Sequence, residues 1–364
     1  MPKIRVLIVD DAVVVRRILT DALSSDPNLE VFTAANGRIA LAKIPQVNPD
    51  IVTLDIEMPE MDGLATLKEV RRTYPLLPVI MFSTLSERGA AITLDALSAG
   101  ANDYVTKPSN VGSVTVALAR IKSELIPRIK ALCGGREAPP IPPAAAAAAA
   151  PRAPSASRAA PGQIRVVAIG VSTGGPNALS AMLPQLPRDL PVPVVLVQHM
   201  PPIFTKLLAD RLSSQCRIGV REGKPGMILA RGEAILAPGG SHMIVKRNGE
   251  SVGVETNMDP PENSCRPAVD VLFRSVVACY GGATLGVILT GMGSDGLHGC
   301  ERIAEAGGRI IVQDEASSVV WGMPGYVARA GLAQKILPLS QIAGEIVRIV
   351  NGAGANAPRV PVTV

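Results

Sequence analysis

Between Gly134 and Gly162 the chain carries almost no large apolar residue. Pro139, Pro140, Pro142 and Pro143 lead into seven consecutive alanines, and Pro151, Pro154 and Pro161 follow. Proline fixes φ and alanine buries little, so this stretch cannot offset the entropy of ordering and reads as a semi-extended linker. It divides the 364 residues into two units, 1–133 and 163–352, with 134–162 as linker and 353–364 as a flexible tail. Each unit must build its own core. Hydrophobic residues make up 47% of the chain but aromatics only 2%, so those cores consist of Val, Ile, Leu and Ala. That composition suits buried parallel strands covered by helices.

The first unit alternates regularly. Apolar runs at Val6–Val9, Val31–Ala34, Ile51–Leu54, Val79–Phe82 and Tyr104–Thr106 predict strands, with helical patterns near 14–24, 37–44, 63–73, 89–99 and 113–132 between them. Five βα units imply a flavodoxin-like, five-stranded parallel sheet. The second unit also reads as α/β, doubly wound, Rossmann-like and largely parallel. Its predicted strands are Val166–Ile169, Val192–Val197, Leu285–Leu289 and Arg309–Val312, with shorter strands over Glu233–Lys246. Helices are expected from Gly174 to about Leu186, over Ile203–Ser213, and near 268–280, 296–306 and 340–350.

Several function classes are disfavoured. A net charge of +5 with scattered basic residues gives no nucleic-acid stripe, and few rings are available for base stacking. The five cysteines are widely spaced with no Cys-x-x-Cys pair, which indicates neither a disulfide framework nor a zinc site. Met1–Val9 lacks the apolar stretch of a signal peptide, and no apolar run approaches a membrane span. The expectation is a cytoplasmic protein without membrane insertion.

In parallel α/β sheets ligands bind beyond the carboxyl ends of the strands. In the first unit those ends carry Asp10–Asp11, Asp55, Ser83 and Lys107–Pro108. Three clustered carboxylates call for a hard cation, and Mg²⁺ fits oxygen ligands while accepting phosphate oxygens. Asp55 could then attack a phosphoryl donor, with Lys107 and the metal neutralising the transferred group. Ser83 could hydrogen-bond the acquired phosphate. Each residue alone could be a solvated loop group; five suitable types at matching strand ends argue otherwise. Over residues 3–125 the pattern resembles the receiver domain of two-component response regulators. The resemblance makes Asp55 the phosphoacceptor, Tyr104 the switch aromatic alongside Ser83 and Lys107, and the Glu57 backbone carbonyl a further metal ligand. It also implies a sensor histidine kinase, CheA-like, as phosphodonor.

In the second unit, the first strand runs into Gly170–Val171–Ser172–Thr173–Gly174–Gly175, the G-x-S-x-G spacing of a nucleophile elbow. A dinucleotide-binding glycine loop would occupy the same place. It would, however, need glycine where Ser172 stands and an acid where the next strand ends in Gln198–His199. His199 reaches the same sheet edge as Ser172 and is the best-placed general base of three histidines. His242 reads as structural or substrate-rim, and His298 as exposed. A third strand end, Thr290–Gly291–Met292–Gly293–Ser294–Asp295–Gly296, would present Asp295 to orient His199, with an N-cap role as the bland alternative. Backbone N–H groups of Thr173 and Met292 are the candidate oxyanion donors.

These motifs, together with Ala-Pro-Gly-Gly at 237–240, Arg-Pro-Ala-Val-Asp at 266–270 and Trp-Gly-Met-Pro at 321–324, resemble the chemotaxis methylesterase (CheB) family across both units. The resemblance maps a catalytic triad onto Ser172, His199 and Asp295, and implies no cofactor for the esterase. It further implies hydrolysis of glutamate γ-methyl esters, and deamidation of particular glutamines, on the cytoplasmic helices of chemoreceptors. The domain order suggests that the unphosphorylated receiver packs on the esterase face and blocks it. Competing readings are a DNA-binding regulator, which predicts a helix-turn-helix after the linker, a Rossmann-type oxidoreductase, and a non-catalytic docking module.

Overall fold

Short blocks of β-branched and aliphatic residues, separated by amphipathic stretches, form two α/β layers in the computed structural model, which describes residues 2–107, 114–133 and 163–352. Pro108, the linker 134–162 and the tail 353–364 lie outside the described residues. The first unit runs β1 (Ile4–Val9), α1 (Val13–Leu23), β2 (Leu29–Ala34), α2 (Gly37–Val47), β3 (Ile51–Asp55), α3 (Gly63–Thr73), β4 (Val79–Ser83), α4 (Glu87–Ser98), β5 (Asp103–Thr106) and α5 (Val114–Cys133). Its five strands are parallel in the order β2-β1-β3-β4-β5. The order reverses between β1 and β3, which puts Asp10 and Asp55 at the topological switch point. Asn36, Asp62 and Ser86 start α2, α3 and α4 by accepting a first-turn backbone N–H.

The second unit runs β6 (Val166–Val171), α6 (Gly175–Met182), β7 (Val194–Gln198), α7 (Pro202–Gln215), β8 (Gly219–Glu222), β9 (Glu233–Leu236), β10 (His242–Asn248), β11 (Ser251–Asn257), α8 (Val269–Tyr280), β12 (Thr284–Ile288), α9 (Leu297–Glu305), β13 (Arg309–Gln313), α10 (Met323–Arg329), β14 (Lys335–Leu337) and α11 (Leu339–Val350). Seven parallel strands lie in the order β14-β13-β12-β6-β7-β9-β8, and β10–β11 forms a separate antiparallel hairpin. The fully buried strands β6, β7 and β12, and the nearly fully buried β13, match their predicted positions to within two residues. The sequence reading passed over β8, β14, β11 and α10. β8 and β14 are the edges of the sheet, where only one neighbour and partial burial leave no apolar run to detect. Among the described residues no helix-turn-helix follows the linker, because β6 opens the parallel sheet directly.

The two units meet through α4 and β5 on one side and the elbow, α6 and α7 on the other. Tyr104 stacks on Phe204 with ring centroids 4.7 Å apart and planes 12° from parallel. Around that stack, Arg211 Nη1 donates to Asp95 Oδ1 at 2.7 Å, and Asn177 Nδ2 donates to the Leu97 carbonyl at 2.8 Å. The Thr173 hydroxyl donates to Asp103 Oδ2 at 3.1 Å.

Candidate active site

At the acidic edge of the first unit, Asp10 and Asp55 are buried while Asp11 is exposed. Lys107 Nζ lies 2.7 Å from Asp55 Oδ2 and 3.1 Å from Asp10 Oδ2. Burial pushes the Asp55 carboxyl up to about 6, against the pull of the Lys107 ammonium. Apart from the Lys107 ammonium, neither buried Oδ2 atom has a hydrogen-bond partner among the described residues, which leaves each a lone pair for a cation. Asp10, Asp11 and Asp55 each bring a carboxylate oxygen within 4.8 Å of the others, a hard oxygen donor set that fits a divalent ion. Glu57 follows two residues after Asp55, and its side chain pairs loosely with Arg88 at 3.8 Å.

Ser83 is turned away from this edge. Its hydroxyl accepts from Thr93 Oγ1 at 2.7 Å and faces the Gly89 carbonyl at 3.3 Å. Tyr104 is buried in the contact with Phe204. The residues expected to respond to phosphorylation therefore reach from the acidic edge to the second unit.

In the second unit, β6 delivers Ser172 and then breaks. Gly174 takes φ +77°, a left-handed value that glycine adopts without strain, and α6 starts at the next residue. A Cβ on Gly175 would fall 1.9 Å from Gln198 Oε1, so only glycine lets β7 pack this closely under the elbow. Gln198 Nε2 in turn donates to the Ser172 carbonyl at 3.1 Å. The neighbouring strand end thus braces the elbow with an amide, in the place where a ribose-binding acid would stand. Ser172 N–H donates to the Thr290 carbonyl at 3.0 Å, tying the elbow to the loop after β12. Among the described residues the N–H groups of Thr173 and Met292 make no backbone hydrogen bond, leaving both available to an oxyanion.

His199 Nε2 and Asp295 Oδ2 are 2.8 Å apart. Asp295 is not the N-cap of α9; that place belongs to Gly296 at φ +94°. Instead its carboxylate reaches across to α8. Oδ2 accepts from Val269 N at 2.7 Å, and Oδ1 accepts from Asp270 N at 3.0 Å and Asn263 Nδ2 at 2.9 Å. The positive end of α8 therefore holds the carboxylate that holds the histidine. Burial works to raise the Asp295 carboxyl, and the hydrogen bonds from His199, Val269 and Asp270 outweigh it and keep it below the ordinary value. Burial likewise disfavours the His199 imidazolium, but the bond to Asp295 and the contact with Cys265 outweigh it and raise its pKa. Asp270 returns the favour to α9 by accepting from Gly299 N at 2.6 Å.

His199 and Asp295 are brought together, and Ser172 lies at the neighbouring strand end. The Ser172 hydroxyl has no hydrogen-bond partner among the described residues, and His199 Nδ1 faces Cys265 Sγ at 3.5 Å. The serine–histidine bond expected from the sequence is thus not formed in this arrangement; such bonds commonly tighten only around substrate. His242 is fully buried between Pro260 O and Ala268 N, and His298 is exposed beside Glu301. The sequence reading missed Asn263, Cys265, Asp270 and the brace from Gln198. Arg-Pro-Ala-Val-Asp at 266–270 was the one signal near them, since it runs into the start of α8.

The chain matches the profile described as CheB methylesterase over residues 167–346, and the response regulator receiver domain over 6–119. It is 56% identical over 349 residues to a protein-glutamate methylesterase/protein-glutamine glutaminase of Trichodesmium erythraeum, covering 96% of this chain and 99% of that one. The enzyme of the same description from a Nocardioides species is 52% identical over 351 residues, covering 96% of each chain. Among solved structures, the Thermotoga maritima CheB methylesterase catalytic domain superposes with a TM-score of 0.51 at 39% identity, over 52% of this chain and all of that one. Two matched domains in the same order, and more than half of all residues shared across nearly the full length of both proteins, place this chain in the CheB family of protein-glutamate methylesterases/protein-glutamine glutaminases.

Proposed function

We propose that this protein hydrolyses γ-methyl esters of glutamate side chains on the cytoplasmic helices of chemoreceptors, and deamidates particular receptor glutamines, under the control of phosphorylation at Asp55. Residues 1–133 are the receiver, 134–162 the linker, 163–352 the esterase and 353–364 a tail. The observation that carries the reading is the His199–Asp295 pair of 2.8 Å at the strand edge beside the Ser172 elbow. No helix among the described residues is long and apolar enough to cross a membrane, in keeping with action from the cytoplasm on receptor helices.

In the proposed cycle Ser172 Oγ attacks the side-chain acyl carbon. His199 Nδ1 takes the proton, because Nε2 is committed to Asp295. The N–H groups of Thr173 and Met292 receive the developing oxyanion. His199 then returns the proton to the leaving methoxide or amine, releasing methanol or ammonia. Water, deprotonated by the same nitrogen, attacks the acyl-serine and frees the glutamate carboxylate and the Ser172 hydroxyl. One nucleophile therefore serves both ester and amide. The measurement is methanol release from methyl-esterified receptor fragments; no release by the phosphorylated full chain would reject the reading.

At the receiver, Asp10, Asp11, Asp55 and the Glu57 carbonyl would hold Mg²⁺, which when bound supplies charge neutralisation to the phosphoryl group. Lys107 holds the Asp55 oxygen, and Asp55 accepts the phosphoryl group from a histidine kinase of the CheA type. Asp55→Asn is expected to abolish incorporation of labelled phosphate, since Asp10, the other carboxylate at Lys107, sits farther from the ammonium, at 3.1 Å against 2.7 Å, and is assigned to the metal. Labelling at the wild-type level in that variant would place the phosphoacceptor elsewhere.

Regulation rests on the contact between the units. Asp103 of the receiver bonds Thr173, the residue after the nucleophile, so substrate access to Ser172 and receiver docking compete. Ser83 and Tyr104 lie between the phosphorylation edge and that contact. Arg211→Glu would set a carboxylate against Asp95 on the surface of the interface. Losing the pair and adding like-charge repulsion costs the closed form about 1 kcal/mol, a roughly fivefold rise in unphosphorylated activity. Unchanged basal activity in this variant would mean that the α4–α7 contact does not restrain the enzyme.

A further inference from the structure

Spacing along the chain gave no zinc motif, yet the fold brings a thiol to an imidazole. Cys265 Sγ lies 3.5 Å from His199 Nδ1, and one ligand atom from each of His199, Cys265 and Asp295 lies within 4.8 Å of the other two. A tetrahedral zinc ion with bonds of about 2.0–2.1 Å to nitrogen and about 2.3 Å to sulfur separates those two ligands by about 3.5–3.6 Å. The observed separation is already that bite.

The pair is also held in place. Asn263 and Ser264 take φ +53° and +61°, the two successive left-handed residues of a tight hairpin turn. Glu262 and Cys265 close it with reciprocal backbone bonds of 3.1 and 2.9 Å. Asn263 Nδ2 anchors the turn on Asp270 Oδ2 and Asp295 Oδ1 at 2.9 Å each, and Arg274 clamps Glu262 with two bonds of 2.6 Å. On the other side, Asp295 engages Nε2 of His199. That is the arrangement of a metal-bound histidine, in which a carboxylate on the far nitrogen fixes the ring and directs its free lone pair at the ion. His199 and Cys265 are each only partly buried, so an ion can enter.

We infer that His199 Nδ1 and Cys265 Sγ form an inhibitory site for a borderline-soft divalent cation, with Zn²⁺ as the best fit. Binding replaces the thiol proton, which leaves to solvent, by a zinc–sulfur bond. Remaining positions fall to water. Mg²⁺, which prefers oxygen ligands, does not compete there. The ion takes the lone pair that must accept the Ser172 proton, so metal and catalysis exclude each other. The inhibition part rests on His199 being the catalytic base; the binding part does not.

The test uses the full chain and two readouts. With Co²⁺ as the zinc surrogate, the wild type is expected to show a thiolate-to-cobalt charge-transfer band. Cys265→Ala should lose that band and Cys216→Ala should keep it. In the second readout the full chain is phosphorylated with a small-molecule phosphodonor in Mg²⁺, and methanol release is followed against added Zn²⁺. Each variant is compared with its own zinc-free rate. The zinc concentration for half-inhibition should rise by at least about 100-fold in Cys265→Ala, the upper end of what losing even an outer-shell partner costs. A cobalt–thiolate band that persists without Cys265, its absence from the wild type, or equal zinc sensitivity in Cys265→Ala would overturn the inference. A Cys265-dependent band in a protein with no esterase activity would support the metal site and count against the catalytic reading alone.

Discussion

Replacing Ser172 by alanine is expected to lower methanol release by about 10⁴- to 10⁶-fold while leaving fold and phosphorylation intact, the range seen when a triad nucleophile is removed. The loss follows from the absence of a substitute. The neighbouring Thr173 hydroxyl points away, into Asp103 of the receiver. Among the described residues Cys265 Sγ is the one other nucleophile bonded to His199, but it sits on the separate turn of 262–265 and not on the elbow. Some rate above that of water should survive, because the proposed oxyanion donors of Thr173 and Met292 belong to the backbone and are untouched. Stability should move by no more than about 0.5 kcal/mol. The Ser172 hydroxyl has no partner to lose, its N–H and carbonyl bonds to Thr290 and Gln198 persist, and the Cβ that packs beside Gly291 stays. Phosphate incorporation at Asp55 provides the internal check that the variant is folded. Activity within tenfold of wild type would remove Ser172 from the mechanism.

What could be read in advance depended on where each residue lies in the sheets. Central strands are buried on both faces, so β1, β3, β6 and β12 advertise themselves as apolar blocks, and the residues at their ends are found by counting forward. The placement of Asp55, Ser172 and Asp295 at one edge of their sheets was legible for that reason. The edge strands β8 and β14 are short and half-exposed, and their sequences carry no comparable signal. The support of the site was illegible for a different reason. Asp295 reads locally as the cap of the helix that follows it, yet it binds the start of α8, and Asp270 crosses in return to α9. Such an exchange depends on two helices packing side by side, which no local pattern encodes. Cys265 reached His199 in the same way, through a turn whose direction is set by tertiary anchors on Asp270 and Asp295. The Ser172–His199 bond was expected and is not made here.

Asp295→Asn should cost about 10³- to 10⁴-fold in activity through the wrong histidine tautomer. Asp295 has four donors to satisfy: Val269 N, Asp270 N, Asn263 Nδ2 and the His199 ring. A carboxylate accepts all four. An asparagine oxygen can keep only one of the two α8 N–H bonds, so its NH₂ group faces either Asp270 N and Asn263 or Val269 N and His199. Facing the ring, that group donates to Nε2 and forces the ring proton onto Nδ1, leaving no lone pair for Ser172. The pH profile separates this account from simple damage. Asp295 and Cys265 raise the His199 pKa, so the neutral base accumulates only as pH rises through that raised value. Removing the carboxylate lowers the pKa, and the acidic limb of kcat should move to lower pH even as its plateau falls. Lost hydrogen bonding at α8 should cost about 1–3 kcal/mol, visible as a lower Tm but not as unfolding at assay temperature. A variant with a reduced plateau and an unmoved acidic limb would show that Asp295 supports α8 without tuning the base.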